Sequence, residues 1–196
     1  MKSKLSIFDF DNTLVRSPDR DTIIEVKGIG KLPALQLYDK WLKDNNCPPR
    51  KFNGWSGRKE SLKHPIFPRP LREDMLIKET ADQFLKAKKD PDTSVKIMTG
   101  RHKGLYPLVL EILIGYDLVN HKEIKSGIVE LICYNSEKGL STLEWKRELI
   151  LEFARDFDAI SMWEDKPEHI SEFIKTGRYL ADRKVVKEFN VFEVKT

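Results

Sequence analysis

The sequence predicts an α/β protein with a mostly parallel sheet and flanking helices, and three observations carry that prediction. Short apolar runs rich in strand formers alternate with longer stretches of helical period. A polar cluster follows several of these runs, at the strand ends where open parallel sheets bind ligands. The 196 residues, 40% hydrophobic and 34% charged, suit a soluble globular chain with one sizeable core. Residues 1–196 are therefore read as a single domain, with 18–71 as an inserted loop or cap-like lobe.

The first strand lies in the stretch Leu5 to Leu14, LSIFDFDNTL. Side chains in a strand alternate, so Asp9 and Asp11 point to one side while Phe8 and Phe10 pack on the other. Two like charges that close repel by roughly 4 kcal/mol at about 4 Å and an effective dielectric of about 20. A cation, or a proton on one of them, must settle the pair. Val15 to Asp21 reads as a turn containing Pro18, Thr22 to Val26 as a short strand, and Gly28 and Gly30 as a loop. Leu32 to Asn45 has helical spacing and begins beside Pro33, tolerated in a first turn. Cys47 to Pro70 holds five of the ten prolines and should be mostly loop.

Arg72 to Lys89 is an amphipathic pattern and predicts a helix. Val95 to Met98 is a second strand leading into Thr99, Gly100 and Arg101, and a helix follows from about Tyr106 to Ile114, stopped by Gly115. Ile128 to Tyr134 is a third strand. Ser141 with Glu144 three residues on forms a capping-box pattern, opening a helix to about Asp156. Asp158 to Trp163 is a fourth strand ending in Glu164 and Asp165. Pro167 opens a short helix that Gly177 ends, and Val191 to Val194 completes the chain as an edge strand.

Two cysteines, Cys47 and Cys133, make no disulfide framework and point to a reducing compartment. The most apolar stretch, Leu105 to Val119, is broken by Glu111 and Asp117 and is too short to span a bilayer. A cytoplasmic, membrane-free location is the expectation. The net charge of +4 hides a local excess. Lys40 to Arg72 carries nine Lys or Arg against Asp44 and Glu60, leaving the remainder net negative.

These clusters resemble the haloacid dehalogenase (HAD) superfamily, matching its four motifs in order. DFDNTL, with Asp9, Asp11, Thr13 and Leu14, matches the first. Thr99 to Arg101 after the strand VKIM match the second, Lys146 or Lys138 the third, and Glu164 with Asp165 the fourth. A calcium-binding EF-hand loop starting at Asp9 fails, because its sixth and twelfth positions are Leu14 and Arg20 rather than Gly and Glu.

The resemblance implies a HAD-like, Rossmann-like fold and a phosphatase. Asp9 would be the nucleophile that forms an aspartyl-phosphate, and Asp11 the general acid and base. Mg2+ would be held by Asp9, the Asp11 backbone carbonyl and Asp165, with Glu164 acting through water or behind the ligands. Thr99, Gly100 and Arg101 would bind the phosphoryl oxygens near a helix N-terminus, although an arginine in a first turn is often simply solvated. Lys146 falls on the apolar stripe with Leu143, Ile150 and Phe153, where a buried ammonium needs an anion. Lys138 reads as a loop charge, so Lys146 is favoured, to hold the Asp9 carboxylate and offset phosphoryl charge, with Lys138 as the alternative.

STLEWKRELI and ISMWEDKPEHISEF narrow the resemblance to the HAD domain of Swiss Army Knife RNA repair proteins. Thr142, Trp145, Lys146, Glu164, Asp165 and His169 fit its pattern. Lys166 replaces an expected arginine, and Ser56 follows Gly54–Trp55 where a second tryptophan is expected. His169 either supports a ligand or is structural. Basic residues from Lys40 to Arg72 are interleaved with Trp41, Phe52, Trp55 and Phe67. Lys51, Trp55, Arg58 and Lys59 are therefore candidate nucleic-acid contacts, phosphates on the cations and bases on the rings. The competing reading is a solvated basic loop whose aromatics tuck into the sheet.

The leading expectation is a Mg2+-dependent phosphomonoesterase acting on RNA or DNA ends, as in RNA repair. The alternatives are a phosphatase for a small metabolite or nucleotide, with the lobe as a lid, and a non-catalytic module that binds phosphorylated ends. A kinase or ligase partner would complete a repair reaction, since no GxxxxGK[ST] loop is present.

Overall fold

A computed structural model describes residues 3–47, 55, 57–135, 137 and 139–195. Its centre is a five-stranded sheet formed by β1 (Lys4–Phe8), β4 (Thr93–His102), β5 (Val129–Tyr134), β6 (Ala159–Glu164) and β7 (Glu188–Glu193). The spatial order is β5-β4-β1-β6-β7, and each neighbouring pair is parallel. From β1 the chain winds outward to β4 and β5, then returns to the other side of β1 for β6 and β7. The direction therefore reverses between β1 and β6, the place where open α/β sheets form a crevice beyond their strand ends.

Strand alternation divides the core between the two faces. Phe8, Val95 and Ile97 pack with Phe84 of α2 (Lys78–Lys89) and with Val109, Ile112 and Leu113 of α3 (Tyr106–Gly115). Leu5, Ile7, Met98 and Met162 pack with Trp145 and Ile150 of α5 (Thr142–Phe153) and with Phe173 and Leu180 of α6 (Pro167–Asp182). No helix among the described residues is long and apolar enough to cross a membrane.

Between β1 and α2 the chain builds an antiparallel hairpin, β2 (Ile23–Val26) with β3 (Gly30–Pro33), and the helix α1 (Ala34–Asp44). Ala34, Leu37, Tyr38, Leu42 and Ile66 form a small core of their own. Leu62 and Phe67 instead insert into the main core, both fully buried, and tie this lobe to the sheet.

Several elements differ from the sequence expectation. The helix predicted from Arg72 begins only at Lys78, because residues 73–75 make a 3₁₀ turn and Leu76 bridges Val15. Ile77 N–H then donates to Leu14 O, holding the entry to α2 extended. β3 and the short α4 (His121–Lys125) have no counterpart in that expectation, although α4 carries a readable capping box between Asn120 and Glu123. The second strand, expected over Val95 to Met98, runs on to His102, so Arg101 lies in β4 and not in a first helical turn. Gly177 does not end α6. A Cβ there would lie 2.4 Å from Phe189 Cδ1, so this glycine lets α6 approach β7 closely. The Ser141–Glu144 capping box is present at the start of α5.

Candidate active site

Asp9 is placed by the sheet. It follows β1 directly, and its N–H donates to Trp163 O of β6 at 3.1 Å. Lys146 reaches it from the buried stripe of α5, with Nζ 2.9 Å from Asp9 Oδ1 and 2.7 Å from Glu164 Oε2. Asp9, Lys146 and Glu164 are 3%, 1% and 0% exposed, so the contacts lie in a water-poor setting. The ammonium pairs with Asp9 as an ion, and Oδ1 takes no hydrogen bond from any other described residue.

Glu164 has no such freedom. Oε2 accepts from Lys146 and faces His169 Nδ1 at 3.2 Å, while Oε1 accepts from the N–H groups of Asp165 and Lys166. Burial opposes its ionisation, but Lys146 and these donors hold Glu164 well below the usual carboxylate range. Burial likewise disfavours the Lys146 charge, and the two carboxylates overcome that and raise its pKa. Glu164 is therefore an anchor for Lys146, with both oxygens spent on protein donors. His169, 5% exposed and packed near Phe173, braces the anchor.

The opposite electrostatics hold at Asp9 and Asp165. Burial, reinforced by neighbouring carboxylates, pushes Asp9 to about 7 against the pull of Lys146. Burial first, then the contacts with Glu164 and Asp9, push Asp165 to about 8. Asp165 Oδ1 is buried with no hydrogen-bond partner among the described residues. One oxygen each from Asp9, Glu164 and Asp165 lie within 4.8 Å of one another. Three clustered carboxylates share the single Lys146 charge, and the buried hard oxygens of Asp9 and Asp165 fit a divalent cation such as Mg2+.

Asp11 is treated differently again. Beyond Asp9 the chain turns tightly, with Asn12 at φ 53°, a conformation asparagine tolerates. Arg101, 2% exposed, clamps the Asp11 carboxylate through Nε at 2.9 Å and Nη2 at 2.6 Å. Its Nη1 also reaches the Ser61 hydroxyl. Burial would raise Asp11, yet Arg101 and a contact with Ser17 hold it below the usual carboxylate range. Arg101 is thus an internal ligand of Asp11 rather than a solvated arginine. Sequence reasoning missed Ser61, because a loop serine carries no signal for a partner forty residues away.

A cavity of about 200 Å³ lies over this cluster, lined by Asp11, Arg101, Asp165, Lys166 and Trp55 among others. Trp55 is held there by its indole N–H, which donates to Pro18 O at 2.7 Å. Thr99, fully buried, and Gly100 are not among the residues that line it. Thr99 Oγ accepts from Arg101 N–H at a register shift in β4. Gly100 permits the close approach of α5, since a Cβ would meet Thr142 Cγ2 at 2.8 Å. The helix start beside the second motif is consequently that of α5, not α3.

Of the proposed basic-lobe contacts, Lys59 is exposed, but Arg58 is 9% exposed and stacks over Tyr38 at 4.5 Å. Phe67 is core. Lys51, Phe52 and the alternative lysine, Lys138, lie outside the described residues. The Cys133 thiol is pushed up to about 12 by burial and by Asp11, which disfavours the thiolate.

Two crystal structures of the Legionella pneumophila effector Ceg4 resemble this chain. One carries an N-terminal TEV protease cleavage sequence, with 12% identity and a TM-score of 0.46 over 98% of this chain and 86% of that one. The other carries an N-terminal yeast Hog1p sequence, with 13% identity and a TM-score of 0.45 over 98% and 87%. No curated protein matches. The family model for HAD domain family 1 in Swiss Army Knife RNA repair proteins matches residues 27–196. That span contains Thr99–Arg101, Lys146 and Glu164–Asp165, and begins after the two aspartates that β1 delivers to the same site. With a parallel α/β sheet and this family match over most of its length, the chain belongs to the HAD domain family of Swiss Army Knife RNA repair proteins.

Proposed function

We propose that this protein is a Mg2+-dependent phosphomonoesterase that works through an aspartyl-phosphate on phosphorylated nucleic-acid ends, in the manner of a polynucleotide 3'-phosphatase in RNA repair. The observation that carries the reading is Asp9: a buried carboxylate beside Lys146, at the point where the sheet reverses direction.

In this reading an Asp9 oxygen attacks phosphorus, forming an O–P bond as the bond to the leaving alkoxide breaks. Asp11 supplies the proton to that alkoxide and later takes one from the water that attacks the phosphoryl group and frees Asp9. Lys146 draws Asp9 toward its ionised form and offsets phosphoryl charge. Asp9 and Asp165 would hold Mg2+, which would supply further charge stabilisation. Arg101 links binding to chemistry, because a phosphoryl dianion competes with Asp11 for the guanidinium. Once Arg101 turns to the phosphate, Asp11 moves back toward the range in which it can carry a proton.

The nucleic-acid substrate is supported by the family's RNA repair context, by the basic segment around the lobe, and by Trp55 in the cavity wall, where a ring can stack a base. A phosphatase for a small metabolite is favoured by one observation, the cavity of only about 200 Å³. Phosphate release with Mg2+ from sugar phosphates, nucleotides and 3'- or 5'-phosphorylated RNA and DNA separates the two. The expected outcome is preference for oligonucleotide ends, lost in Asp9→Asn. Equal turnover by Asp9→Asn removes the mechanism, and hydrolysis of small substrates alone removes the repair reading.

A further inference from the structure

Next to the catalytic cavity lies a larger groove of about 820 Å³, and the two share Asn12, Ser17, Pro18 and Asp19 as a common wall. The chemistry at Asp9 makes no use of it. One flank is the β2 edge of the hairpin, and the other is the stretch from residue 64 to residue 72. Arg16, Lys27, Arg69 and Arg72 line it against only two carboxylates, Asp19 and Glu25. Arg16 is exposed and forms no ion pair among the described residues.

Arg69 and Arg72 do have partners, Glu111 and Asp74, but those acids lie outside the groove, with side chains 60% and 61% exposed. Because the acids are exposed, a phosphate can replace either carboxylate, at Arg72 by exchanging one two-bond partner for another and at Arg69 while the guanidinium keeps its bond to Pro68 O. Between the cations the surface turns apolar. Ile23 is 59% exposed, and Pro65 and Pro68 face the same space. A concave surface that is cationic at intervals and apolar between, and that opens into a phosphoryl site, matches a strand of alternating phosphates and flat bases.

We propose that this groove is the leaving-group channel, which takes the nucleotides preceding the terminal phosphate of a single-stranded nucleic acid. The inference rests on the phosphatase reading above and deepens it. Backbone phosphates contact Arg16, Arg69 and Arg72, while sugar and base faces lie on Ile23 and the two prolines. The strand therefore runs along the hairpin side of the lobe and not over Arg58, which is buried against Tyr38. Such binding is sequence-tolerant and salt-dependent.

Binding and turnover test it separately. Anisotropy of a labelled single-stranded hexanucleotide with a 3'-phosphate is measured on Asp9→Asn, with and without Arg16→Ala, Arg69→Ala and Arg72→Ala together. The triple change is expected to weaken binding by about 10-fold or more and to reduce the salt slope by about 2, near 0.7 for each phosphate that is no longer neutralised. In protein with Asp9 intact, KM should fall from mononucleotide to trinucleotide, and the triple change should abolish that trend. Its loss of kcat/KM on the oligonucleotide should also exceed its loss on p-nitrophenyl phosphate. Unchanged affinity, a length-independent KM, or a larger loss from Lys59→Ala than from the triple change overturns the channel. Hydrolysis of p-nitrophenyl phosphate without oligonucleotide binding overturns the channel and leaves the phosphatase standing. Arginine-dependent binding without hydrolysis of any substrate does the reverse.

Discussion

The ends of β1 and β6 and the lobe between β1 and α2 are built on contrasting principles. At the strand ends, Asp9, Lys146 and Glu164 are almost wholly buried, each held by parallel-strand pairing or by a helix stripe, and every oxygen of Glu164 is spent on a donor. In the lobe, beside a small core around Tyr38 and Leu42, the exposed Arg72 and the half-buried Arg69 pair with exposed acids. Placing charges in the core demands defined partners, whereas placing them on a loop surface leaves them free to change partners. The first region suits chemistry, the second suits selection. Arg101 joins the two by bridging Asp11 to Ser61, and Trp55, bonded to Pro18 within the lobe, lines the cavity with Asp11 and Asp165.

If that division holds, changes at the strand ends act on kcat and stability, and changes in the lobe act on KM. The largest effect belongs to Asp9→Asn, which on the proposed mechanism lowers kcat on the order of 10⁴-fold or more while the protein stays folded. Steady-state kinetics beside a thermal melt checks both halves. Lys146→Met comes next. It leaves Asp9 and Glu164 as uncompensated buried charges, so denaturant unfolding should show a loss of about 3–5 kcal/mol together with lost turnover. A melt within error of the parent would mean the pair is not buried as described.

Proton linkage gives an intermediate effect. Asp9 and Asp165 are raised well above the ordinary carboxylate value, to about 7 and about 8, so the folded state holds their protons more tightly than the unfolded chain. The stability they contribute is full in acid and lost as pH rises through that window. Without metal, Tm should fall over the same window, and saturating Mg2+ should flatten the fall, its own stabilising shift growing with pH as protons leave its ligands. A flat metal-free profile would refute the shortage of counter-charge. The smallest effect is expected of Trp55→Phe, which keeps a ring but loses the bond to Pro18, at about 1 kcal/mol of stability. Its KM for oligonucleotides should rise with kcat little changed, and a change confined to kcat would erase the distinction between the regions.

Much of this is legible in the sequence, because local patterns encode burial. Strand and helix alternation, the Ser141 cap and the position of Lys146 on an apolar stripe need only nearby residues for their definition, and so do the polar clusters that close the strands. Local patterns mislead where a residue answers to a distant partner. Gly177 looks like a helix stop until Phe189 is placed against it. Arg72 to Lys89 looks like one helix until Leu76 is drawn into a bridge with Val15.

The sequence by itself thus determined most of the elements, the acids at the strand ends and the place of Lys146 on an apolar stripe, since periodicity and residue chemistry are properties of the chain. Tertiary structure alone decided that Arg101 holds Asp11, that Glu164 anchors while Asp9 and Asp165 are pushed up, and that a groove adjoins the cavity. Those outcomes depend on the strand order β5-β4-β1-β6-β7, which brings residues some ninety positions apart into contact. No local pattern specifies which strand ends become neighbours, because that choice is made by packing the whole sheet.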